Sequence, residues 1–67
     1  MQENEFMEKF KRVIANLPDR QREVFLLNKV EKKTYREIAE LSNVSVKAIE
    51  KLMSKALKVI RVEIGDV

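Results

Sequence analysis

Apolar residues recur at helical spacing along nearly the whole chain. Phe6, Phe10, Val13, Ile14 and Leu17 fall at i, i+4, i+7, i+8 and i+11, which stacks two aromatic and three aliphatic side chains on one face of a helix. The pattern predicts a first helix over residues 1–16, stopped by Pro18, the one proline in the chain. A second helix is predicted over residues 18–31, because proline is tolerated at a helix start and Asp19 complements the helix dipole there. Its apolar positions, Val24, Phe25, Leu26, Leu27 and Val30, spread round more than one face, and this places the second helix at the centre of the bundle.

The second half of the chain carries sharper signals. Thr34, Tyr35, Arg36 and Glu37 spell a T-x-x-E capping box just ahead of Ile38, Ala39 and Leu41, so a short third helix is predicted over residues 34–41. Asn43 is a residue type that tolerates the left-handed conformation closing a helix, and Ser45 is placed to cap the next one. The fourth helix, residues 46–61, follows on a seam of Ile49, Met53, Ala56 and Ile60, again at i, i+4, i+7 and i+11. A short helix, a turn of about three residues and a longer helix form the helix-turn-helix plan, whose second helix enters the major groove. Ala39 is small where the two helices must approach closely, and Ile49 is the buried anchor. The expectation is one all-α domain over residues 1–67, with four helices ending in a helix-turn-helix at 34–61.

Composition narrows the chemistry. The 67 residues include no Cys and no His, which removes disulfides, thiolate nucleophiles, zinc fingers and histidine general bases together. The lone glycine, Gly65, cannot make a phosphate-cradling loop, and a chain this small has little room for a substrate cleft. These features argue against an enzyme, a cofactor, a metal site or a small-molecule substrate. No apolar run approaches the roughly 18 residues of a membrane helix, and the opening residues, Met1 to Phe6, are polar and acidic where a signal peptide is basic and then apolar. A cytoplasmic protein without a membrane partner is expected, in keeping with the absence of Cys.

Charge is unevenly placed. Residues 1–8 carry Glu3, Glu5 and Glu8, residues 62–67 carry Glu63 and Asp66, and residues 9–61 hold all 14 Lys and Arg against six acids, a net of +8. A basic body with acidic ends suits a polyanionic partner, although a solvated helical surface is also rich in lysine. The fourth helix distinguishes the two. Opposite its apolar seam, Lys47, Lys51, Ser54, Lys55 and Lys58 cluster on one face, whereas a merely solubilising face interleaves acids for i, i+4 pairing. The one acid in this helix body is Glu50, at the edge of the stripe, so a phosphate-binding helix is the better reading.

Three segments in this order and spacing resemble region 4 of the sigma-70 family, in the extracytoplasmic-function group of RNA polymerase sigma factors. They are LPDRQREVFLL at Leu17 to Leu27, TYREIAEL at Thr34 to Leu41 and VSVKAIEKLMSKALKVIR at Val44 to Arg61, within a span of about two-thirds of the chain. The last segment most resembles the FecI-like subgroup. The resemblance implies a domain that recognises the promoter minus-35 element through its fourth helix while bound to the flap of the polymerase β subunit, with an anti-sigma factor as a further partner. Family contacts to bases and phosphates carry over to Arg36 before the turn and to Lys47, Glu50, Lys51, Ser54 and Lys55 in the reading helix, with Tyr35 and Ser45 near the DNA backbone. Lysine is a point charge where arginine is a fork, so most of these positions orient the helix and one or two read guanine.

The chain departs from the family pattern at three positions. Ser42 stands where an aliphatic residue is usual, Asn43 where glycine is usual, and Glu50 where many members have Lys or Arg. The Glu50 carboxylate has two open roles, accepting from a cytosine amino group or pairing with Lys47 or Lys51. Phe6, Phe10, Val24, Phe25 and Leu27 are expected in the core, while Leu26 and Val30 either pack on the first helix or form a surface for the polymerase flap. Two other functions share parts of the pattern: a LuxR-type helix-turn-helix effector that binds DNA as a dimer, since LPDRQREVF and EIAE fit both families, and a sigma-like protein-interaction module whose basic stripe is incidental. The run SKALKVIR favours the sigma reading.

Overall fold

The computed structural model describes residues 2–65 and forms helices α1 (Gln2–Ala15), α2 (Asp19–Lys29), α3 (Tyr35–Ser42) and α4 (Val46–Ile64). No strand occurs among the described residues, and the all-α, four-helix expectation holds. None of these helices is long and apolar enough to cross a membrane.

Each junction has a local cause. Helix α1 ends at Ala15, ahead of Pro18, with the Asn16 N–H still donating to Arg12 O (3.0 Å) and the Leu17 N–H to Ile14 O (3.1 Å). The free carbonyls at this end are gathered by Arg22, whose Nη1 donates to Ala15 O at 3.1 Å and Leu17 O at 3.2 Å while Nη2 donates to Asp19 Oδ1 at 2.7 Å. One planar guanidinium thus closes α1 and fixes the start of α2. Pro18 lies just outside α2 as its N-terminal flanking residue, with φ −54° and ψ 148°, a geometry its ring favours.

Helix α2 stops at Lys29, two residues short of the expected end, and the chain leaves it through Lys32 with φ 62°. The Lys33 N–H reaches back to Leu27 O (3.1 Å) and the Asn28 side-chain amide donates to Lys33 O (2.8 Å), and these bonds hold the left-handed turn without a glycine. At the other end of the chain α4 continues to Ile64, past the expected residue 61, and closes at Gly65 (φ 91°), whose N–H donates to Arg61 O at 3.1 Å.

The core is built around α4, against which α1, α2 and α3 each pack. This corrects the expectation that α2 is central. The apolar residues of α2 divide between inside and outside: Val24 and Phe25 are buried, Leu27 is half-buried, and Leu26 and Val30 face solvent. Ile38, Ile49 and Met53 are the largest fully enclosed side chains, joined by Ile14, Leu17, Val24, Phe25, Ala39 and Ala56. Val44, Leu52 and Ile60 are half-buried against this cluster.

Phe6 is a second correction. It is 56% exposed, because the core under α1 begins only at Phe10, one turn further on. The rings form a short row from outside to inside, with Phe6 stacked on Phe10 at 6.3 Å and Phe10 tilted against Phe25 at 6.2 Å between centroids.

Candidate nucleic-acid interface

The turn that presents α4 is built from three backbone decisions. Thr34 and Glu37 close the start of α3 reciprocally, with the Glu37 N–H donating to Thr34 Oγ1 (3.1 Å) and the Thr34 N–H to Glu37 Oε1 (2.8 Å). At its end Asn43 takes the left-handed conformation (φ 59°, ψ 43°). The Val44 N–H then donates to Ala39 O at 3.0 Å and the Asn43 N–H to Glu40 O at 3.3 Å, the Schellman pattern of a helix terminus. Asn43 supplies here what glycine would, since its short polar side chain tolerates this region. Two residues later the Ser45 hydroxyl accepts from the Ala48 N–H at 3.1 Å and starts α4.

The turn fixes the rotation of α4, and its seam decides which face remains outside. Ile49, Met53 and Ala56 are essentially sealed and Ile60 is half-buried, so the opposite face meets solvent along the whole helix. A shallow groove runs along that face, lined by Ser45, Lys47, Ala48, Glu50, Lys51, Ser54, Lys55 and Lys58. Six of the eight sequence-predicted site residues, Ser45, Lys47, Glu50, Lys51, Ser54 and Lys55, are brought together in it. Lys58 joins them although the sequence reading left it out of the site. Its signal was available, because Lys51, Lys55 and Lys58 form one i, i+4, i+7 ridge.

Tyr35 and Arg36 stand apart from this groove. Tyr35 opens α3 half-buried against the core, and Arg36 is exposed one residue further on. Ser45 spends one lone pair on its cap, which leaves its O–H free to donate.

Electrostatically the groove is open. The one ion pair among the described residues is Arg22 with Asp19, remote in sequence from α4, so none of the groove lysines is neutralised by a protein carboxylate there. Uncompensated ammonium groups on one helix face attract anions at the spacing of the helical ridge, and a phosphate backbone presents such a row.

Residues 7–60 match the family model described as Sigma-70, region 4. The chain belongs to that family. No curated protein and no solved structure matched the chain. The match begins at Met7, ahead of the Leu17 to Arg61 span that carries the sequence resemblance, and so takes in the second half of α1 as well. Sigma-70 region 4 is a DNA-binding regulatory domain and not an enzyme family. The helix-turn-helix of this sigma-70 region 4 domain is α3, the Asn43 turn and α4, with DNA and RNA polymerase as the partners of its family.

Proposed function

We propose that this sigma-70 region 4 domain recognises the minus-35 element of promoter DNA with α4 while docked on the flap of the RNA polymerase β subunit. The observation that carries the reading is a coincidence of two independent facts. The family match covers the helix-turn-helix, and the helix that should enter the major groove bears the unneutralised lysine groove. Lys47, Lys51, Lys55, Lys58 and Ser45 hold phosphates, Ser54 and Glu50 face base edges, and Arg36 and Tyr35 approach the DNA backbone from the start of α3. Exposed Leu26 on α2, Val30 at its C-terminal cap and Leu41 on α3 lie outside the groove and supply an apolar surface for the flap. The sequence motifs support placement in the extracytoplasmic-function group, FecI-like, with an anti-sigma factor as its restraining partner. Such a domain works in the cytoplasm with polymerase.

The test is the salt dependence of duplex binding by the whole chain. About four lysine contacts predict a slope of log affinity against log salt near −3.6, and thus a loss of roughly a hundredfold between about 50 and 200 mM salt. Changing Lys47, Lys51, Lys55 or Lys58 singly to Ala should flatten the slope by about 0.9 each. Binding that ignores salt, or slopes that ignore these changes, would remove α4 as the DNA surface.

A further inference from the structure

A single carboxylate shares the groove with four lysines, and it is the member that phosphate binding does not explain. Glu50 lines the groove beside Lys47, Lys51 and Ser54, and it is exposed. Lys47 stands at i−3, a spacing that permits a helical ion pair, yet Glu50 is in no ion pair among the described residues. Lys51 is adjacent in sequence and points about 100° further round the helix. Of the two roles open to Glu50 in the sequence, pairing with a lysine is not seen among the described residues.

An ionised carboxylate only accepts hydrogen bonds. Against DNA phosphates it is repelled, so a Glu carried into a DNA groove needs a donor on a base edge. In the major groove guanine presents two acceptors and thymine an acceptor and a methyl group, while adenine sets its N7 acceptor beside its amino group. Cytosine alone offers an amino donor with no acceptor next to it on that edge.

We propose that Glu50 is a specificity-determining residue of this domain, its carboxylate accepting from the N4 amino group of cytosine and thereby selecting one C·G pair in the binding site. The inference rests on the reading of α4 as the DNA-reading helix. The lysines hold the helix on the phosphates and are indifferent to sequence. Glu50 acts largely by exclusion, because guanine and thymine leave a desolvated carboxylate facing acceptors or a methyl group and adenine sets an acceptor beside its amino donor.

The experiment is selection from a randomised duplex library by the full 67-residue chain at low salt, comparing the native protein with Glu50→Ala and Glu50→Gln. The native chain should enrich cytosine at one position by about tenfold over the disfavoured bases. Glu50→Ala should lose that enrichment while its total affinity holds or rises, since a charge that repels phosphate has gone. Glu50→Gln should shift the same position toward adenine, whose N6 and N7 suit an amide. Equal far-ultraviolet circular dichroism would confirm that the exposed substitutions leave the fold intact. Identical preferences in all three proteins, or salt-sensitive binding without any base preference, would overturn the role of Glu50 and leave DNA binding standing. A native chain that binds no duplex at low salt overturns the DNA reading itself, and this inference with it.

Discussion

At Asn43 one residue holds the angle between the two functional helices. Its φ of 59° and ψ of 43° lie in the left-handed region, which costs a side chain with a branched Cβ about 1–2 kcal/mol and costs Asn less. Asn43→Gly should therefore keep stability within about 0.5 kcal/mol of the native chain, whereas Asn43→Val should lose about 1–2 kcal/mol. Urea unfolding followed by circular dichroism measures both, and equal midpoints for the Gly and Val variants would refute the account of the turn. Arg22 works at the same scale on the other junction, where its guanidinium serves two carbonyls of the α1 terminus and the Asp19 carboxylate. The exposed Arg22–Asp19 pair adds little by itself; the carbonyl bonds are what tie α1 to α2.

Between elements, the close approach of α3 to α4 depends on the absence of bulk. Ala39 is buried beside fully enclosed Ile38 and Ile49, so the crossing leaves no room for a longer side chain. Ala39→Leu should overpack it and cost about 1–3 kcal/mol, which in a domain of this size lowers the melting temperature by about 4–8 °C per kcal/mol. Unchanged melting would mean that the helices are not in close contact there. Along α4 itself, Lys47 sits in the first turn, where backbone amides already attract phosphate. Lys47→Ala is expected to weaken binding to every duplex by a similar factor, with the preferred sequence from a randomised library unchanged. A shifted preference would make Lys47 a base reader instead of an anchor.

For the whole molecule, the hub position of α4 separates two surfaces. Because α1, α2 and α3 each pack on α4 while its lysine face stays exposed, that face is left to one partner and the outer faces of α2 and α3 to another. Val30 and Leu41 are 66% and 64% exposed and lie outside the lysine groove. Changing both to Asp should impair binding to core polymerase while duplex binding at low salt stays within about twofold, since exposed apolar residues contribute little to folding. Changing Lys51 and Lys55 to Ala should do the reverse. Pull-down on core polymerase and duplex titration, run on both double variants, read the two effects separately, and loss of both activities together in either variant would contradict two independent faces.

Much of this was legible in the sequence because it depends on neighbours a few residues apart. The Thr34 to Glu37 box, the Ser45 cap, the left-handed Asn43 and the Ile49, Met53, Ala56 seam are local: each satisfies backbone groups or repeats at the helical period within two turns. Six of the eight candidate residues meet in the groove for the same reason, since a helix with a known inner face has a known outer one. Apolar character alone did not fix burial. Phe6 and Val30 carry the helical pattern yet face solvent, since periodicity says which residues share a face and not whether a neighbour covers it. Nor could periodicity identify the hub, since α2 looked central from its scattered apolar positions and those positions proved to be divided between core and surface. Tertiary packing also decided the placement of Tyr35 against the core rather than in the groove. Sequence determined the helices, their caps and the charged face of α4; only the arrangement of helices in space could decide which apolar residues are covered, because coverage depends on where distant segments end.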